Sequence, residues 1–271
     1  MTLGKAVRLA RMKNPQSGRI LTVALDHAPS YGVLKGLEHI SAVIEKVASG
    51  GPDAMLLMKG TAERCFQPYA GRISLILKCS SLSPFHAEND VWVSHVEDAL
   101  RLGADAIAMA LTVGSVQQPK LLSSLAALVR EAETVGMPVI VHAYPNGELI
   151  PPEERYTAQQ VRYAARLAME LGVDIIKTFY TGSAETFAEV VKTAAPALVV
   201  AAGGQRLDTD TDVLRMTHAV VQAGAAGITF GRNIWQADHP DRIIGALRTI
   251  VHHSGTAEEA MAQLGGCAAR S

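Results

Sequence analysis

The chain has 271 residues, 48% of them apolar but only 5% aromatic, and its 25 basic and 26 acidic side chains leave a formal net charge of −1. A core of that composition is built from Ala, Val, Ile and Leu, as in parallel strands covered by helices. The near-neutral charge argues against nucleic acid as the main partner, because binding a phosphate backbone needs a basic surplus.

Cys65, Cys79 and Cys267 lack metal-site spacing, which argues against a disulfide framework or structural zinc. No apolar window approaches the length of a membrane span, so no membrane partner is expected. Residues 1–14 carry Lys5, Arg8, Arg11 and Lys13 without the apolar stretch of a secretory signal, and a cytoplasmic setting is expected.

In chain order, residues 1–19 are expected to form a helical cap. Eight short runs rich in Val, Ile, Leu or Ala then read as strands: 20–26, 54–59, 73–78, 105–110, 138–144, 173–179, 197–202 and 225–231. Helical spacing falls between them. Residues 90–102 place Val93, Val96 and Leu100 on one stripe with Asp90 as cap, and 115–135 place Leu121, Leu122, Leu125, Leu128 and Val129 on one face. Residues 157–171, opened by Thr157, then 183–194, 209–223 and 240–253 complete the helices. The connection between the second and third strands is too short for a long helix.

Eight alternations without a linker predict one (β/α)8 (TIM) barrel, a single domain over 1–271 with 255–271 as terminal helix and tail. A doubly wound sheet competes, but Asp26-His27-Ala28-Pro29 follows the first strand where a dinucleotide fold carries its glycines.

A barrel puts its chemistry at the C-terminal ends of its strands. Alternation turns Asp26, Tyr144 and Lys177 towards one mouth. Lys177 interrupts an apolar run, where loss of hydration lowers the pKa of an ammonium and makes a carbonyl-directed nucleophile. Lys59 and Lys78 also end strands, and position alone does not rank the three. Gly203-Gly204 and Gly231-Arg232 follow strands seven and eight, the loops that hold phosphate in many barrels, with 233–236 as the short extra helix. His27 and His142 are placed in the same mouth. His252 and His253, at a helix C-terminus, are expected on the solvated surface.

Together, Val23-Ala-Leu-Asp26-His27, Ile175-Ile-Lys177-Thr-Phe-Tyr180, Ala201-Ala-Gly203-Gly204 and Gly231-Arg232-Asn233-Ile-Trp-Gln236 resemble the archaeal-type class I fructose-bisphosphate aldolases, in the superfamily that includes deoxyribose-phosphate aldolase. The resemblance runs from about Leu21 to His253. It implies a Schiff base on Lys177, proton transfer by Tyr144 of Tyr-Pro-Asn-Gly, and an assisting Asp26. It also implies a ketose or triose phosphate held by Gly203, Gly204, Gly231 and Arg232. His27, His142 and Lys59 are expected as further substrate contacts from their places at the strand ends. No metal or other cofactor is expected, and relatives form ring assemblies, often decamers, so a homo-oligomer is expected.

Two positions depart from that family. His142 stands where tryptophan is common and Asn146 where arginine is common, which shifts the expectation for the aldehyde half towards a non-phosphorylated or differently charged compound. The heptulosonate-type aldol synthase of aromatic biosynthesis stays open. So does a thiolase of phosphorylated autoinducer-2 breakdown, although the branch similar in its Schiff-base strand lacks the fifth-strand tyrosine. Zinc on His27, His86 and His142 would make a metal-dependent aldolase, but their spacing carries no zinc signature. A phosphate-binding barrel without catalysis is the non-enzymatic alternative.

Overall fold

The structure, a computed structural model, describes residues 2–266. Its strands are β1 (Ile20–Ala24), β2 (Ala54–Met58), β3 (Ser74–Lys78), β4 (Ser80–Ser83), β5 (His86–Trp92), β6 (Ala106–Thr112), β7 (Val139–Tyr144), β8 (Ile175–Phe179), β9 (Leu198–Ala202) and β10 (Gly227–Phe230). Eight of them close in the order β1-β10-β9-β8-β7-β6-β3-β2, every pair parallel, which is the expected (β/α)8 barrel.

Strand alternation separates two cores. Ile20, Ala24, Ala54, Leu56, Ile76, Ala106, Ala108, Ile140, Ile175 and Val200 fill the barrel together with Leu9 and Met12 of the helix Leu3–Met12. The opposite faces, with Leu21, Val23, Met55, Leu57, Leu75 and Leu77 among them, pack on the surrounding helices. The first helix therefore plugs the end of the barrel away from the strand C-termini. Its Lys5 reaches Asp174 at 3.1 Å, and Arg11 reaches Asp105 at 3.4 Å. Those pairs anchor the plug to the starts of β8 and β6.

Thr157, Ser183 and Thr209 each accept the capping hydrogen bond of the helix that follows them. Between β2 and β3 the helix Lys59–Cys65 has only 7 residues, as the short connection required.

The segment 90–102 departs from expectation. Ser80–Ser83 and His86–Trp92 pair antiparallel, with Trp92 opposite Ser80, and the helix is only Val96–Arg101. Asp98 supplies its cap, accepting from the His95 N–H at 2.9 Å. Asp90 instead lies within β5, buried. The apparent stripe is not a packing face: Val93 is 47% and Leu100 38% exposed.

His252 departs as well. It is buried at the barrel base, its Nδ1 2.9 Å from Ser17 Oγ and its Nε2 3.1 Å from Asp53 Oδ2, while His253 is exposed. The final helix is Ala257–Gly266; the tail and Cys267 lie outside the described residues. Cys65 and Cys79 are free thiols, and burial pushes Cys79 up to about 12. Among the described residues no helix is long and apolar enough to cross a membrane.

Candidate active site

Register sets the central layer of the site. Lys177 pairs with His142 on one side and Val200 on the other, and His142 pairs with Ala110. Both Lys177 and His142 therefore sit at one level inside the barrel mouth. Lys177 is 7% exposed and lines a cleft of about 410 Å³. Burial lowers its pKa to about 8, aided by Lys78 and Arg232 and opposed by Asp26. Keeping the ammonium there costs on the order of 3 kcal/mol relative to water, so a substantial neutral fraction exists near neutral pH.

Tyr144 ends β7 and stacks on Phe179, two residues beyond Lys177, with ring centroids 4.5 Å apart and planes at 11°. Tyr156 stacks on Phe179 in turn at 4.7 Å. Burial, helped by the Asp26 charge, pushes the Tyr144 phenol well above 10, so it is held as a proton donor. Asp26 follows β1. Its Oδ1 stands 3.7 Å from Nδ1 of His27, whose imidazole burial lowers to about 4 and thus keeps neutral. His142 is likewise held well below the usual histidine range, by burial first and by Lys177 and Lys78 next.

The glycine turns form the opposite wall of the cleft, where Gly203, Gly204, Gly231 and Arg232 all face it. Asn233, fully buried, staples them together: its Nδ2 donates to Gly203 O at 2.7 Å, and its Oδ1 accepts from the Leu207 N–H at 2.8 Å. Arg232 Nε donates to Gly204 O at 3.1 Å. An added side chain would be crowded at two of the turn positions. A Cβ on Gly231 would stand 2.5 Å from the His27 ring and 2.9 Å from Ala24 O, and one on Gly203 would stand 3.0 Å from Phe230. The Gly231→Ala variant is expected to raise KM by about tenfold or more, through a displaced turn in the cleft wall. Steady-state kinetics and a melting curve check it.

A second chamber of about 110 Å³ opens on the other side of Lys177, beneath the β4–β5 hairpin. Lys177, Tyr144, His27 and Asn146 belong to both spaces, whereas Lys78, Asp90 and His142 face only the inner one. Lys78 Nζ donates to Ser80 O at 2.6 Å and to Ser80 Oγ at 2.8 Å, and Ser80 Oγ donates to Asp90 Oδ2 at 2.9 Å.

The structure thus brings together Lys177, Tyr144, Asp26, His27, His142 and the four turn residues Gly203, Gly204, Gly231 and Arg232. It does not bring in Lys59. That residue opens the helix after β2, binds Asp98 at 2.9 Å, and lines neither space. Sequence reasoning passed over Ser80, Asp90, Asn233, Phe179 and Tyr156. His86 lies on β5, exposed, and among the described residues no group of His, Cys, Asp or Glu is placed to hold a metal ion.

A buried lysine of lowered pKa and a phenol donor share a cleft lined by paired glycine turns, an arrangement suited to carbonyl chemistry. Residues 20–237 match the DeoC/LacD family aldolase model, and the chain belongs to that family. It is 35% identical to the 2-amino-3,7-dideoxy-D-threo-hept-6-ulosonate synthase of Halobacterium salinarum over 264 residues, covering 97% of each chain. It is 31% identical to the 2-amino-4,5-dihydroxy-6-oxo-7-(phosphonooxy)heptanoate synthase of Streptomyces griseus, covering 97% of this chain and 96% of that one. An archaeal fructose-1,6-bisphosphate aldolase, solved with its catalytic Lys covalently bound to the carbinolamine intermediate, superposes with a TM-score of 0.83 at 29% identity, covering 92% of this chain and 99% of that one. The aldolase fold and a lyase activity follow from these relations.

Proposed function

We propose that this protein is a Schiff-base aldolase that joins or splits a keto phosphate, dihydroxyacetone phosphate or a close analogue, and an aldehyde. The observation that carries it is Lys177: buried, of pKa about 8, and in one cleft with both glycine turns. The turns hold the phosphate and set the ketone carbon beside the amine, so remote binding energy becomes positioning.

In the cleavage direction, the neutral Lys177 nitrogen adds to the carbonyl carbon and the oxygen gains a proton, giving a carbinolamine. Water then leaves and an iminium forms. The C3–C4 electron pair flows into that cation to give an enamine, while the C4 hydroxyl loses its proton and becomes the aldehyde carbonyl. In cleavage that proton passes to the ionised Tyr144 oxygen, which shares the cleft with Lys177. In condensation its phenol donates to the new C4 oxygen, the role its raised pKa favours. Asp26 is the nearby anion that opposes the loss of positive charge on Lys177, and it supports the cationic intermediates.

A second reading, synthesis of an amino-ketose of the heptulosonate type, is favoured by the 35% identity to the Halobacterium salinarum synthase over nearly the full chain. His142 and Asn146, at the acceptor side of Tyr144, are the residues that bear on the difference. A panel of aldehydes with dihydroxyacetone phosphate, run beside cleavage of fructose 1,6-bisphosphate, separates the two readings, and fructose 1,6-bisphosphate as much the best cleavage substrate favours the first.

The chemistry asks for no metal, and assembly as a cytoplasmic homo-oligomer belongs to the same reading. Incubation with dihydroxyacetone phosphate and borohydride is expected to label Lys177 irreversibly, with or without a chelator. Peptide mapping to Lys78, or loss of labelling in chelator, overturns the proposal.

A further inference from the structure

The two spaces around Lys177 differ in chemistry and meet at Lys177 and Tyr144. The glycine turns belong only to the outer cleft, and Lys78, Asp90 and His142 only to the inner chamber, with Lys177 and Tyr144 at the junction. A keto phosphate anchored on the turns reaches Lys177 with its carbonyl carbon. The carbons beyond the new bond are then directed past Tyr144 towards the chamber.

Size and chemistry narrow what fits. The chamber measures about 110 Å³. At about 30 Å³ for a water-sized group, it holds on the order of four such groups, a short acceptor without its own phosphate. Two buried atoms of its lining residues lack a hydrogen-bond partner among the described residues, Nδ1 of His27, which is shared with the outer cleft, and Oδ1 of Asp90, which faces the chamber alone. Lys78 is satisfied by Ser80 and Asp90 Oδ2 by the Ser80 hydroxyl, but no described residue donates to Asp90 Oδ1, although Asp90 is only 8% exposed. Burial also raises the Asp90 carboxyl pKa, opposed by Lys78 and Ser80. A buried acceptor without a donor is uncommon, and beside a reacting centre it marks a place where a ligand supplies the donor. A hydrocarbon acceptor leaves that oxygen unpaired.

We propose that the chamber beneath the β4–β5 hairpin is the acceptor subsite, and that Asp90 selects a short aldehyde carrying a hydroxyl on the carbon next to its carbonyl. This rests on the Schiff-base reading of Lys177. Asp90 acts on the choice of acceptor, with Ser80 and Lys78 fixing its carboxylate.

Glycolaldehyde and propanal test it, because they have the same number of heavy atoms and differ only in a hydroxyl against a methyl group. With dihydroxyacetone phosphate as donor, the unmodified protein is expected to use glycolaldehyde at least about tenfold better in kcat/KM. In Asp90→Ala the ratio is expected to fall towards one, through loss of the glycolaldehyde rate. Where the alanine variant does not fold, Asp90→Asn keeps the volume and is expected to reduce the ratio about threefold or more.

A ratio near one in the unmodified protein, or an unchanged ratio in a folded Asp90 variant, overturns the inference. Borohydride trapping of dihydroxyacetone phosphate on Lys177, run without aldehyde, separates the two levels. Trapping with a ratio near one overturns the acceptor subsite alone, and absence of trapping overturns the Schiff-base reading and this inference with it.

Discussion

Lys177→Met is expected to lower aldol turnover by about four orders of magnitude or more and to abolish borohydride labelling, since the nucleophile that opens the covalent route is gone. Methionine fills the space with a similar length of chain, so loss of activity reports the amine. Activity retained above a hundredth of the unmodified rate would return the role to Lys78, the other buried lysine of the mouth. In the unmodified protein, labelling should follow the neutral amine. Its rate rises with pH, approaches tenfold per pH unit well below 8, and levels off above a pKa of about 8.

The same shift has a sign for stability. The folded-state pKa lies below the unfolded value, so the unfolded chain binds the extra proton between about 8 and 10.5. Stability contributed by this group therefore rises with pH through that window. Below it the full cost of the buried ammonium is present, on the order of 3 kcal/mol. Lys177→Met is then expected to melt higher than the unmodified protein at pH 7, with the gap narrowing above pH 8. An inactive but stabilised variant is the signature of a residue kept for chemistry at the expense of the fold.

The sequence carried the barrel because its signals repeat: eight apolar runs, each followed by a polar or glycine-bearing loop, leave few topologies. It drew attention to Lys177 because a charge inside such a run conflicts with burial, and to Tyr144 and Asp26 because alternation aims them the same way, but only the family resemblance ranked Lys177 above Lys59 and Lys78. The β4–β5 hairpin was hidden by a coincidence of spacing. Val93, Val96 and Leu100 lie three and four apart and imitate a helix stripe, whereas the structure leaves two of them exposed and puts Asp90 in a strand. Pro84-Phe85 between two short polar runs was the available sign of a turn.

Asn233 was hidden differently. Its two bonds reach 30 and 26 residues back in the chain, to Gly203 and Leu207, and no local pattern records a contact across two loops. Lys59 ends a predicted strand as well as Lys177 does. Only the closed barrel shows that the chain turns into a helix there and hands Lys59 to Asp98.

Tyr144→Phe is the second large expected effect. The ring stacks on Phe179 at 4.5 Å, and phenylalanine keeps that contact, so the variant removes the hydroxyl and little else. Aldol turnover is expected to fall by about 10²- to 10⁴-fold, the range for one general acid/base. Labelling of Lys177 by dihydroxyacetone phosphate and borohydride is expected to stay within about threefold, because carbinolamine and iminium formation precede the step this hydroxyl serves. The pattern separates roles that a rate alone confuses. A tyrosine that merely shaped the cleft would lose labelling and turnover together, and one required for dehydration of the carbinolamine would lose labelling first. Because burial holds the phenol protonated well above 10, the Tyr144-dependent step in condensation should also be flat in pH from 6 to 9, leaving Lys177 to set the ascending limb of the profile. A turnover profile in Tyr144→Phe that keeps that limb while losing height places the amine and the phenol in successive steps of one reaction.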